Sequence, residues 1–162
     1  MDQSTNSYLT FKVNDNTFGI HVEKVVEIKE YTPPKSIPET LPYVTGVIEY
    51  RDEIVPLIDT AAKFNLGKIN ISSQTCTVIL EIINEQKNAN TKVGIIVDTV
   101  SDVMEITPEL IKPIEDDYKP KYISATYKQD DILVMILDAN SIFSDKDIIK
   151  MDKLIENIKK KK

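Results

Sequence analysis

Few residues in this chain carry side chains suited to covalent or proton-transfer chemistry. His21 is the only histidine and Cys76 the only cysteine. A reactive thiol needs a base or cation beside it, and none stands close to Cys76 in sequence. His21 sits beside apolar strand residues with no serine or cysteine nucleophile motif, so a structural role is expected. Carboxylates are plentiful. Glu115-Asp116-Asp117 and Asp130-Asp131 fall in expected turns, where acids are ordinarily solvated, and Asp98 and Asp102 straddle the end of an expected strand. None has the spacing of a calcium loop. Zinc patterns, glycine-rich phosphate loops and dinucleotide fingerprints are all missing. A hydrolase using an acid pair remains an outside alternative, since any acidic protein offers such pairs. The expectation is no catalytic residue, no metal and no cofactor.

One charged residue is placed differently. Gly46 to Asp59 reads G-V-I-E-Y-R-D-E-I-V-P-L-I-D. Val47-Ile48 and Ile54-Val55 flank a polar tip, Glu49-Tyr50-Arg51-Asp52, which is the pattern of a β-hairpin. An arginine at the tip can make directional, charge-assisted bonds to a partner. This is the chemistry of being held, not of transforming a substrate.

The elements that position this tip are mostly strands. Leu9, Phe11 and Val13 alternate with Thr10 and Lys12, giving a period of two. Asn14-Asp15-Asn16 supplies turn chemistry before Phe18-Gly19-Ile20. His21 to Val26 fits one helical turn, and Glu27-Ile28-Lys29 is extended. The prolines between Thr32 and Pro42 exclude regular ladder pairing. Asp59 or Thr60 can cap a short helix reaching Phe64. Asn65 to Ser73 reads as a polar linker between lobes. Thr77–Ile83 and Lys92–Val100 are apolar strands, and Val103–Ile106 continues beyond Ser101-Asp102. Ile123–Tyr127 and Ile132–Leu137 form a second hairpin, and Asp138 to Phe143 a short helix. Ser144 and Asp147 resemble a capping box. Ile148, Met151, Ile155 and Ile158 then recur at helical spacing.

The chain has 162 residues, 41% of them apolar, enough for one domain or two small lobes sharing a core. No apolar run approaches the ~18 residues of a membrane helix, and the polar N-terminus lacks a signal segment. With a single cysteine, these features point to the cytoplasm. Residues 145–162 carry a balance of +3 and the remaining body −9. A body that acidic repels phosphate backbones, so no nucleic-acid partner is expected. Lys159 to Lys162 fit the negative end of a helix dipole, with an anionic membrane surface as the alternative. Roughly ten short strands suggest two small antiparallel barrels.

In order and spacing, Y-L-T-F-K-V, F-G-I-H-V-E-K-V-V-E-I, the hairpin segment, V-G-I-I-V-D-T-V-S-D-V and I-L-V-M-I-L-D resemble the CheW-like domain family. The likeness covers residues 8–143. It implies a mainly β fold of two five-stranded SH3-like β-barrel lobes, about 8–66 and 74–143, with short helices. It would leave residues 1–7 disordered and 144–162 as a C-terminal amphipathic helix and lysine tail. It implies a chemotaxis adaptor, not an enzyme, bridging methyl-accepting chemoreceptor tips and the regulatory domain of the histidine kinase CheA. Such a protein would reach the inner face of the membrane through receptor arrays, without inserting. Val25, Glu27, Gly46, Arg51 and Val103 match family positions that face the receptor helices. The kinase-facing surface is expected on the hairpin, at Val47, Ile54, Val55 and Leu57. Alternatives within the family are an array-structural or CheV-type module that does not activate the kinase. This chain departs from the family's G-V-x-N-L-R-G at Glu49, Tyr50 and Asp52, and has Thr60-Ala61 where leucine and arginine are common. The replaced glycine suggests a positive-φ position at Asp52.

Overall fold

The computed structural model describes residues 7–37, 41–85, 88–114 and 121–160. The strands are β1 (Ser7–Val13), β2 (Asn16–His21), β3 (Val25–Glu30), β4 (Val44–Tyr50), β5 (Glu53–Asp59), β6 (Cys76–Asn84), β7 (Ala89–Val97), β8 (Thr99–Glu105), β9 (Lys112–Pro113), β10 (Ile123–Gln129) and β11 (Ile132–Leu137). Two helices join them, α1 (Thr60–Lys63) and α2 (Asp145–Lys160). Ser7 thus opens β1 instead of ending a disordered arm. Residues 1–6, the Glu115-Asp116-Asp117 cluster and Lys161-Lys162 lie outside the described residues.

The strands form a six-stranded sheet, β8-β1-β2-β11-β10-β9, and a five-stranded sheet, β3-β6-β7-β5-β4. The fold is mainly β with a C-terminal helix, as expected, but the sheets hold six and five strands, not five each. They also do not follow the linear division at 66–74. The six-stranded sheet combines β1 and β2 with β8–β11, while the five-stranded sheet takes everything from β3 to β7. Each sheet contains one parallel pair that joins distant parts of the chain, β2 with β11 and β5 with β7.

Segment 65–73 is no free linker. The Leu66 N–H donates to the Ala61 carbonyl, the Leu66 carbonyl accepts from Asn14 Nδ2, and Ile69 is buried. The Asp59 carboxylate caps α1 by accepting from the Ala62 N–H, and it also accepts from the Ile69 N–H. The chain changes sheets at the 3-10 turn Val22–Lys24 and again at Asp98. There the apolar run expected from Lys92 to Val100 breaks into β7 and β8. The Asp98 N–H donates to the Lys12 carbonyl, and its carboxylate accepts from the Asn14 N–H at 2.6 Å.

One apolar core fills the space between the sheets. Phe11, Phe18 and Ile20 from one sheet meet Leu57, Leu80 and Ile95 from the other. Ile148 and Met151 of α2 join the same core. Burying each such side chain contributes about 1.5–3 kcal/mol. The capping box forms as expected: the Asp147 N–H donates to Ser144 Oγ, and the Ser144 N–H to the Asp147 carboxylate. Asn84, fully buried, donates to Asp152 at 2.8 Å and fixes the middle of α2.

The hairpin β4–β5 closes with a two-residue turn, shorter than the four-residue tip expected. Tyr50 pairs with Glu53, and Arg51 and Asp52 take φ of 48° and 65°. Two consecutive left-handed residues make the turn type that matches strand twist. The proline-rich segment contributes one bridge, Lys35 to Val47. Gly46 makes that bridge possible, because a Cβ there would lie 2.2 Å from the Lys35 carbonyl oxygen. Gly46→Ala should therefore destabilise the fold by about 3 kcal/mol through overpacking. Urea unfolding measures this, and a change within error would show that Lys35 can move aside.

Candidate functional site

The hairpin turn places Arg51 beside β3. Its guanidinium lies 3.3 Å from Glu27 Oε1 and 5.1 Å from the centre of the Tyr50 ring. The Tyr50 hydroxyl donates to the same Glu27 oxygen at 2.5 Å, and Lys29 Nζ stands 5.4 Å from the ring centre. Both cations are within the ~6 Å reach of a cation–π contact. Tyr50 is buried, whereas the side chains of Arg51 and Glu27 are 72% and 38% exposed. At that exposure the ion pair stabilises the fold by about 0–1 kcal/mol. Its use is to orient the arginine. The hydrogen bond to Glu27, with burial adding to it, pushes the Tyr50 phenol up from its ordinary value of 10.0.

β3 and β8 are edge strands of different sheets, and neither has a fully buried residue. Val25 on β3 is half-buried and packs at the margin of the shared core. Val103 on β8 is 52% exposed. Ile28, 42% exposed on β3 beside Glu27, is an apolar surface residue that sequence reasoning missed. The signal was its place in K-V-V-E-I, where apolar residues fall on both faces of one strand. Of the five residues expected to face receptor helices, Glu27 and Arg51 touch each other and Val25 shares their strand edge. Val103 belongs to the other sheet. Gly46 is buried against Lys35, so its role here is steric.

The expected kinase-facing residues need a larger correction. Val47, Val55 and Leu57 are 6%, 1% and 0% exposed, so their side chains are not available for contact. Their apolar alternation suggests a surface, but Val55 packs against Ile79 and Leu57 lies in the core shared by both sheets. Ile48, Tyr50 and Val55 pack toward Ile79. On the opposite face, where Val47 pairs with Pro56 and Glu49 with Ile54, only Glu49 and Ile54 retain exposure.

The remaining candidates are structural. His21 Nδ1 accepts from the Glu23 N–H, capping the 3-10 turn Val22–Lys24, and its ring meets Tyr8 edge-on. Cys76 Sγ donates to the Gln74 carbonyl. Asp102 accepts from the Val103 N–H while Asp98 serves the crossing. Among the described residues no group of His, Cys, Asp and Glu could hold a metal ion, and no helix is long and apolar enough to cross a membrane.

The profile of the family described as CheW-like domain matches residues 7–147. The chain belongs to the CheW-like domain family. It is 24% identical over 148 residues to the "Probable chemotaxis protein CheW" of Rhizobium etli, covering 90% of this chain and 92% of that one. It is 29% identical over 137 residues to the "Chemotaxis protein CheW" of Bacillus subtilis, covering 83% and 84%. The solved structure of the scaffolding protein TtCheW from Thermoanaerobacter tengcongensis superposes with a TM-score of 0.77 at 26% identity, over 88% of this chain and 90% of that chain. The CheW-like family is one of non-enzymatic chemotaxis scaffolds.

Against the family's turn, Asp52 occupies the place of a glycine and does adopt positive φ. Asp52→Gly should stabilise the protein by about 1 kcal/mol by relieving left-handed strain; denaturant midpoints test this, and a loss would mean the carboxylate outweighs the strain. A second expectation concerns alkaline pH. Tyr50 is raised by its bond to Glu27, and Tyr8 and Tyr122 are raised by burial. The unfolded chain releases these protons near 10.0, the folded chain later, so stability holds below that pH and falls as pH rises through the folded values. Tyrosinate absorbance of the folded protein should lag that of the denaturant-unfolded chain; coincident titrations would contradict the burial and bonding described.

Proposed function

We propose that this chain is the coupling adaptor between methyl-accepting chemoreceptors and the histidine kinase CheA. The observation that carries the reading is the oriented, exposed Arg51 held by Glu27 on an edge strand that also presents Val25 and Ile28. A helical receptor tip offers an apolar stripe with polar flanks, which suits a surface of apolar strand edges and one directional cation. Receptor contact uses Val25, Glu27, Arg51 and Val103. The kinase regulatory domain meets the hairpin through Glu49 and Ile54, the residues exposed there. No chemistry on a substrate is involved, and the protein reaches the membrane face only through its partners.

A second reading has its own observation. The chain is 27% identical over 150 residues to the "Chemotaxis protein CheV3" of Helicobacter pylori, covering 90% of this chain and 46% of that one. Glu49 and Asp52 also make the hairpin more acidic than the family pattern. On this reading the protein binds receptors and builds arrays without activating the kinase.

Reconstitution separates the two. A receptor signalling fragment, CheA and this protein are mixed, and co-sedimentation and autophosphorylation are measured. Coupling requires both partners to co-sediment and autophosphorylation to rise. Co-sedimentation without a rise supports the array-structural reading, and no co-sedimentation rejects both. Arg51→Ala should weaken receptor binding about tenfold, equivalent to about 1.4 kcal/mol, with the denaturation midpoint nearly unchanged. A large loss of stability would make Arg51 a structural residue instead.

A further inference from the structure

The acidic residues that set this hairpin apart from the family pattern lie near the end of the C-terminal helix. The family match ends at residue 147, and α2 continues to Lys160. The helix is 16 residues long, about 24 Å at the rise of an α-helix. Its two halves are held differently. Asp147 lies 3.9 Å from Lys63, Ile148 and Met151 are in the core, and Asp152 is bonded to Asn84. Leu154 still packs against the core, and beyond it these fixed contacts give way. Ile155 and Ile158 are only half-buried, and Lys159 is exposed. This outer half reaches the β4–β5 hairpin. Glu49, Asp52, Ile54 and Lys159 line an open hollow of about 310 Å³ between them.

We propose that α2 from Ile155 onward is a strap that closes over the outer face of the hairpin and must be displaced by a partner docking there. Three features fit this role. Lys159 lines the hollow together with two acids, and both acids replace neutral residues of the family pattern. Ile54, at the base of the hollow, is the partly exposed apolar residue of that face. The clamp at Asp147 to Asp152 lets the outer half fray without disturbing the core, since helix ends open locally at low cost. Attraction across a solvent-filled hollow is screened by salt, so the strap loosens as ionic strength rises. The competition with a partner rests on the reading that this hairpin faces the kinase. The closure itself does not.

The test has two arms. In a Cys76→Ser background, Ile54→Cys supplies one thiol under the strap. Its labelling rate is measured with and without Lys159→Glu, at about 0.05 and 0.5 M salt. Labelling should speed up several-fold with Lys159→Glu, and with salt when Lys159 is present. Equal rates throughout would overturn the strap. If the cysteine variant fails to fold, hydrogen exchange of residues 48–58 in the otherwise native chain replaces it, with faster exchange expected for Lys159→Glu and unchanged exchange overturning the strap. The second arm measures binding to the CheA regulatory domain, where Lys159→Glu should tighten affinity several-fold. Faster labelling with unchanged affinity would overturn the competition. Faster labelling with no kinase binding in either chain would reject the coupling reading while leaving the strap standing.

Discussion

The structure depends on how the chain crosses between its sheets. At Asp98 the chain leaves the middle of the five-stranded sheet and becomes the edge of the six-stranded one within a single residue. Its backbone N–H goes to Lys12, and its carboxylate holds the N–H of Asn14 in a left-handed turn. Where such a crossing is half-buried, its polar groups are best satisfied internally. Here one aspartate serves both its own backbone and the neighbouring turn. Because of this crossing and the earlier one at Val22–Lys24, the sheets interleave along the sequence and share their main core. They are therefore coupled, and a shift in one is felt in the packing of the other.

That coupling explains how a weak surface pair can be a well-defined site. The Arg51–Glu27 bridge contributes little to stability at its exposure. Yet Arg51 sits on a two-residue turn, Tyr50 is buried below it, and Gly46 lets the same strand lie against Lys35. The guanidinium is oriented by a scaffold that does not need it. Such an arrangement suits a non-enzymatic scaffold, where a residue is kept for what it offers a partner.

Local signals in the sequence were read with success wherever the physics was local. Alternation in Leu9, Phe11 and Val13 marked β1, Asn14-Asp15 marked its turn, and Asp59 marked the start of α1. The Ser144–Asp147 box formed its two reciprocal bonds. The replaced glycine points to positive φ at Asp52, and Asp52 adopts it. Errors arose where the outcome depends on distant chain. Polar residues 65–73 looked like a linker, but Asn14 and Asp59 bind that stretch. Val47, Val55 and Leu57 suggest a surface, but all three are buried, Val55 against Ile79 and Leu57 in the core shared by both sheets.

Most strands, the turns, the capped helices and the likeness to CheW-like domains are legible in the amino-acid order. These follow from side-chain period, turn chemistry and capping, which act over a few residues. Tertiary structure alone decided which strands share a sheet, that Tyr50 and Arg51 converge on one oxygen of Glu27, and that Lys159 stands across from Glu49 and Asp52. Those contacts join residues far apart in the chain. No local preference encodes them; they exist because burying one common core fixes where each strand must lie.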